Sequence, residues 1–268
     1  MCIMLTDVSP CATELFDVAV EGDRRLLAYR NTISTGKNEL MIVPFPLENG
    51  RYGEVELVEI RHLASCLDDV VGAFQESTDT DLMNYSNSGA SHLLVHQIGN
   101  YRISVAPDLD DLQARVDWDK FVLPSNLEER METLKDEVLY PYACGYVVAE
   151  VIDGSVSNDG FMLVYPDPGF RYFPTAHERG TGDLDEKRRL GFLGPAPLVE
   201  LVKYDVVCYS IDDKENPQRA LSAGFQRGIP TTRVAGGRGH LRLMLEKGTP
   251  LSRRELRGLH ENQNLMIK

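Results

Sequence analysis

No apolar run in this chain approaches the ~20 residues needed to span a bilayer, and no basic stretch followed by an apolar run and a small-residue cleavage site opens it. A soluble, non-secreted protein is therefore expected, cytoplasmic or held within an intracellularly assembled particle, without a membrane partner. No Cys-x-x-Cys pair occurs, and Cys2, Cys11, Cys66, Cys144 and Cys208 are odd in number and irregularly spaced. That pattern argues against a disulfide framework and for reduced thiols. The G-x-x-x-x-G-K-[ST] phosphate loop is missing, and so is any recognisable cofactor signature, so no cofactor is expected. After Ser210 the only aromatic ring is Phe225, which leaves the C-terminal quarter short of the platforms on which nucleic-acid bases stack.

What is present is uneven charge. Of 268 residues, 43% are hydrophobic and 26% charged, enough for a sizeable core, and the net charge is −13. Residues 214–268 hold 11 Lys+Arg against 4 Asp+Glu, so the preceding 213 carry 17 against 37. An acidic body of residues 1–213 repels nucleic acid and anionic lipid. The basic extension of residues 214–268 does not share that constraint.

Short β-prone runs at 26–31, 40–45, 55–60, 145–152, 161–165 and 205–210 are bounded by turn residues and read as strands. Gly99-Asn100 between 93–98 and 101–105 reads as a hairpin turn. Leu63, Leu67, Val70, Val71 and Phe74 recur at helical spacing. A capping box at Ser125 and Glu128 starts a second helix, which Pro141 ends. Residues 76–91, 166–170 and 181–198 read as loops. Strands and helices do not alternate regularly, so the expected class is α+β: a largely antiparallel sheet with a few amphipathic helices and a C-terminal basic appendage. In that appendage, residues 214–240 read as irregular backbone. Residues 240–246 alternate as a half-buried strand, and Ser252 with Glu255 caps a final helix carrying Arg253, Arg254 and Arg257.

The segments LMIVPFP (40–46), GNYRISVAPDLDDL (99–112), DKFVLP (119–124), YFPTAH (172–177) and YDVVCYS (204–210) have a joint pattern. Together they resemble an uncharacterised family of bacterial and bacterial-like proteins with an LPFP-like strand, a GxYxxSVxP hairpin and an FFPTxH strand. The resemblance covers about residues 1–210 and implies no activity or catalytic residues. It does imply a boundary near the change of charge. The family pattern carries a second His soon after the first, whereas Glu178-Arg179-Gly180 follow His177 here, which weakens a borrowed metal pair.

Several residues are candidates for chemistry. Removal of Met1 would give Cys2 an α-amino base, as in N-terminal-nucleophile hydrolases, and Tyr29-Arg30-Asn31 bears a loose likeness to their Arg-Asn pair. The ordinary alternative is a buried or incidental cysteine. His92 and His96, four apart, share a face as metal ligands must, with His177 a further candidate, but no third ligand set is identifiable and ordinary strand histidines are the alternative. His177-Glu178 as a base with its orienting carboxylate fails on a strand, where neighbours face opposite ways. RVAGGRGH (233–240) invites a phosphate-loop reading, against which stands a plain turn. Asp68-Asp69 and Asp110-Asp111 fit solvated acids at helix starts.

The function expected on balance is a non-catalytic interaction or assembly component of a larger complex, a virus-like particle included. It would dock on a protein partner or on itself through Arg233, Arg238, Arg242, Arg253, Arg254 and Arg257. The alternatives are a cysteine amide hydrolase using Cys2 and a nucleic-acid contact through residues 214–268. The extension could also simply cover an acidic face of its own body.

Overall fold

The computed structural model describes residues 2–4, 11–34, 39–48, 50–58, 67, 68, 70–74, 96–98, 101–121, 143–151, 155–175, 177–178, 201–211, 219–221, 224–261 and 265–267. The helix expected at 125–138, the turn at Gly99-Asn100 and the loops at 76–91 and 181–198 lie outside them.

The α+β expectation is overturned: the described residues form 17 strands, with α-helix confined to a turn at 67–72 and to α1, Leu109–Arg115. A six-stranded sheet runs in the order β11 (His177–Glu178), β1 (Cys2–Met4), β4 (Glu39–Pro46), β8 (Cys144–Val151), β7 (Tyr101–Ala106), β6 (His96–Ile98). A nine-stranded sheet starts with β13 (Arg219–Ala220), β16 (Pro250–Glu261), β12 (Leu201–Ser210), β2 (Cys11–Val20) and β3 (Arg24–Ser34). It continues with β9 (Ser155–Pro166), β5 (Glu56–Val58), β14 (Phe225–Arg233) and β15 (Arg238–Leu245). Finally, β10 (Arg171–Phe173) pairs with β17 (Leu265–Ile267). All ladders are antiparallel except β1 with β11 and β2 with β12.

Period-two alternation assigns each face of the nine-stranded sheet to a different core. Leu15, Leu27, Tyr29, Phe161, Leu163 and Tyr165 pack against Met41, Val43, Phe45, Tyr101, Val147 and Ala149 of the six-stranded sheet. Two contacts cross that sandwich: the rings of Phe45 and Tyr165 meet edge to face at 5.7 Å, and Tyr101 Oη donates to Asn31 Oδ1 at 2.6 Å. The alternate residues, Phe16, Val18, Leu26, Ala28, Met162, Val164, Val207 and Tyr209, form a second core with Ile229, Leu241, Leu243 and Leu245. The helical turn contributes Leu67, Val70 and Val71 to it, as its spacing predicts, with Phe74 packed alongside. On the far face of the six-stranded sheet, α1 is capped by Asp108 and buries Leu109 and Leu112 against Leu40, Ile42 and Tyr146. Asp110 and Asp111 occupy its first turn, the helix-start position expected of them.

The nine-stranded sheet is curled. Seven interstrand steps separate β16 from β15 in the strand order; at ~4.8 Å each, a flat sheet would hold them ~34 Å apart. Yet only residues 246–249 join the two strands, a connection that reaches at most ~18 Å. The sheet therefore bends round the second core until β15 and β16, the latter flanked by the two-residue β13, approach at that turn, and β15 comes close to β2 across the interior. Gly248 N–H donates to Leu221 C=O and Leu221 N–H to Thr249 C=O, both at 2.9 Å, clasping the turn.

The C-terminal segment is likewise corrected. Residues 225–233, expected to be irregular, are strand β14, and Ser252 starts no helix: Ser252–Glu261 pair with Leu201–Ser210 over ten positions. The capping-box residues are compatible with either structure, and the open side of β12, whose Val206–Ser210 are buried, supplies the tertiary pairing that overrides the local signal. Charge follows the strand period instead: Glu255 bonds Arg253 and Arg257, two residues to either side on the same face. Across the change of charge sign at 213/214, β16 pairs with β12 and β14 with β5.

Candidate functional site

The sequence-derived candidates separate in space. His96 on β6 and His177 on β11 stand at opposite ends of the six-stranded sheet, five interstrand steps or ~24 Å apart, so they do not share a metal site. His92 lies outside the described residues. No cluster of three His, Cys, Asp or Glu suited to a metal occurs among the described residues. Cys2 and His177, by contrast, are register partners on parallel strands β1 and β11, a juxtaposition that sequence spacing could not show. The two cysteines whose side chains are described are free thiols held protonated: burial raises Cys144 to about 11 and pushes Cys208 well up. The RVAGGRGH segment is the β14–β15 hairpin turn, with Gly236 and Gly237 at φ 99° and 104°, which supports the turn reading over a phosphate cradle.

The six arginines proposed for docking fall into two groups on the two outer regions of the curled sheet. Arg233, Arg238 and Arg242 belong to β14 and β15; Arg253, Arg254 and Arg257 belong to β16. Half of them are already engaged. Arg233 Nε lies 3.4 Å from the buried Glu56 carboxylate, and Arg253 and Arg257 flank Glu255. Arg238, Arg242 and Arg254 are exposed and have no carboxylate partner among the described residues.

Glu56 was not singled out by sequence, and it positions the hairpin. It is 3% exposed, accepts from Thr231 Oγ1 at 2.6 Å, and lies 3.6 Å from Arg24. A Cβ at residue 239 would meet Thr231 Oγ1 at 2.4 Å and Glu56 Oε1 at 2.6 Å, so only glycine leaves room for this buried network. Glu56 is register partner to Arg233 and β5 is the strand on which β14 is laid, so this carboxylate ties the hairpin to the body.

On the hairpin's outer face, register pairs Gln226 with Met244, Gly228 with Arg242, Pro230 with His240 and Thr232 with Arg238. The burial of β15 alternates: Leu241, Leu243 and Leu245 point inward while Arg238, His240, Arg242 and Met244 are exposed. Met244, 53% exposed, is the one exposed large hydrophobic residue among the described residues. With its amide oxygen turned toward β15, Gln226 accepts from Arg242 Nε at 3.2 Å and Nη2 at 3.0 Å, holding that guanidinium flat on the hairpin.

The ladder's hydrogen bonding can be phased from its turn. Arg233 N–H donates to Gly237 C=O and Gly236 N–H to Arg233 C=O, so the next pair, Thr232 with Arg238, does not exchange hydrogen bonds. Alternation then directs the N–H and C=O groups of Gly239, Leu241, Leu243 and Leu245 toward β14. Those of Arg238, His240, Arg242 and Met244 point away from it. Pro230, which has no N–H, falls at a position where none is needed for β15. Since β15 ends the sheet order among the described residues, four residues present their backbone groups on an edge with no strand paired to it there, and their side chains on the exposed face.

No family model matches this chain, and no curated protein matches it. Among solved structures it is similar to baculovirus P35, with 13% identity and a TM-score of 0.49 over 100% of this chain and 99% of that one. It is also similar to a chain of the caspase-8/P35 complex, with 15% identity and a TM-score of 0.45 over 96% and 95%. A third is a mutated baculovirus P35 after caspase cleavage, with 14% identity and a TM-score of 0.44 over 96% and 98%. At these identities and scores no role passes from those proteins to this chain.

Proposed function

We propose that this chain is a non-catalytic protein-interaction component that docks through its basic C-terminal strands. The observation that supports it most is that exposed Arg238, Arg242 and Arg254 have no carboxylate partner among the described residues, in a chain of net charge −13. Exposed cations without a carboxylate partner are groups for steering and holding an acidic partner.

Deleting residues 214–268 would not test this, because it strips β16 from β12 and β14 from β5. The test is the triple substitution Arg238→Glu/Arg242→Glu/Arg254→Glu in the full chain, with self-association followed by sedimentation and partner binding by calorimetry. Caspase-8, which P35 accompanies in the solved complex, is one defined probe. Association that weakens with salt and is lost in the triple variant supports the reading. Association indifferent to both places the docking surface elsewhere.

A second reading, a cysteine amide hydrolase using Cys2, is favoured by the register of Cys2 with His177. It requires removal of Met1. Retention of Met1 in the intact mass excludes it; if Met1 is gone, Cys2→Ala must abolish turnover of an amide substrate.

A further inference from the structure

Natural sheets protect their outer strands with prolines, bulges, very short strands, inward charges or charged side chains on the edge; of these β15 has only the last, Arg238 and Arg242, a protection that repels like charge and not an acidic strand. The strand runs eight residues, contains no proline, keeps unbroken register with β14, and turns only apolar side chains inward after Gly239. Its outer N–H and C=O groups, those of Arg238, His240, Arg242 and Met244, form a ready template for one more strand.

From these features we propose that the β15 edge is a strand-addition site whose occupant is an extended acidic segment of a partner protein. The inference rests on the interaction reading above and specifies where and how the partner binds. An added strand would extend the curled sheet beyond β15. Its inward side chains would continue the apolar row of Leu241, Leu243 and Leu245. Its outward ones would lie beside Arg238, His240 and Arg242 at every second residue, with an apolar position beside Met244. The recognised sequence therefore alternates acidic and apolar residues. Exposed Arg254 on β16, the strand that follows β15 after the turn at 246–249, adds a further positive charge.

A second copy of this chain fits poorly: two β15 edges paired antiparallel would set one Arg-His-Arg row against another, and like charges directly opposite destabilise a sheet. Main-chain hydrogen bonds supply affinity in strand addition, and side chains at alternate positions supply specificity. The two contributions can be separated by mutation.

The probe is a ten-residue peptide of alternating Val and Glu, with alternating Val and Lys as control, measured against the full chain by fluorescence anisotropy and amide hydrogen exchange. The expected result is binding of the acidic peptide alone, with new protection at the amides of Arg238, His240, Arg242 and Met244. Met244→Pro removes an outer-edge donor while keeping every charge and every bond to β14; Arg238→Glu/Arg242→Glu reverses charge while keeping the edge. Each should weaken binding at least tenfold, with melting curves showing that both variants remain folded. Binding that ignores Met244→Pro overturns strand addition, whereas charge-dependent docking survives if the double reversal still abolishes it. Failure of both variants to matter overturns both readings. Edge amides already protected in a self-associated chain would assign the edge to a second copy and overturn the acidic-peptide proposal.

Discussion

The arginines of β3 and those of β15 are the same residue type put to opposite uses. Arg25, on the sandwich face of β3, is buried between Asp17 and Asp167, with Tyr165 Oη also donating to Asp17 at 3.2 Å. Arg30, on the other face, bonds Glu14 of β2 and reaches Asp68 on the helical turn at 2.8 Å. Each of these two guanidiniums is matched by two carboxylates, which offsets the cost of burying it. Arg238 and Arg242 have neither burial nor a carboxylate among the described residues. Interior charge here serves the fold, while the edge arginines have no carboxylate among the described residues, and the proposed edge contact rests on that contrast.

The contrast breaks most visibly if the interior pair is broken. Asp17→Ala leaves Arg25 buried with Asp167 alone, and arginine cannot shed its proton. Unfolding in urea should show a loss of about 3–5 kcal/mol. A loss below about 1 kcal/mol would mean that the pair is not part of what holds β2, β3 and β9 together.

A pH titration sharpens the same site. Burial raises the Asp17 carboxyl from 3.8 to about 6 against the opposing pull of Arg25. Between about pH 4 and 6 the folded chain then holds a proton that the unfolded chain has released, so this group's contribution to stability falls as pH rises through that window. The fall should be on the order of 3 kcal/mol, levelling off above pH 6. Asp17→Asn should lack that component, and superimposable pH–stability profiles for the two proteins would refute it.

How much of this was legible beforehand depends on the range of the interactions. The strands at 26–31, 40–45, 145–152, 161–165 and 205–210 were readable because their residues are apolar on both faces, and Leu241, Leu243 and Leu245 showed their alternation directly. β16 was misread because Ser252-x-x-Glu255 is a local signal while its pairing partner, β12, is about 50 residues upstream. The register of Cys2 with His177, the curl of the sheet and the phase of the β15 edge are all long-range results of strand pairing. The charge excess after residue 213 was visible, but not which arginines were neutralised. Glu56 sits in an unremarkable run, and only the fold places it under Thr231 and Arg233.

Glu56 gives an intermediate test between interior and edge. Glu56→Gln keeps the shape but removes the charge facing Arg24 and Arg233; an expected cost of about 1–3 kcal/mol should be accompanied by faster exchange in β14 and β15. An unchanged hairpin would show that the ladder alone positions it.

The smallest stability effect belongs to the edge itself. Arg238→Glu/Arg242→Glu should change stability by no more than about 1 kcal/mol, because both side chains are exposed and only the Arg242 bond to Gln226 crosses the ladder. A loss of several kcal/mol would show that these cations are structural after all.

The most direct measurement is residue-resolved amide exchange along β15 in the free protein. An open edge predicts alternation: slow exchange at Gly239, Leu241, Leu243 and Leu245, whose N–H groups bond β14, and fast exchange at Arg238, His240, Arg242 and Met244. Uniformly slow exchange through all eight would contradict the open edge and, with it, the assignment of this strand as the place where the protein meets its partner.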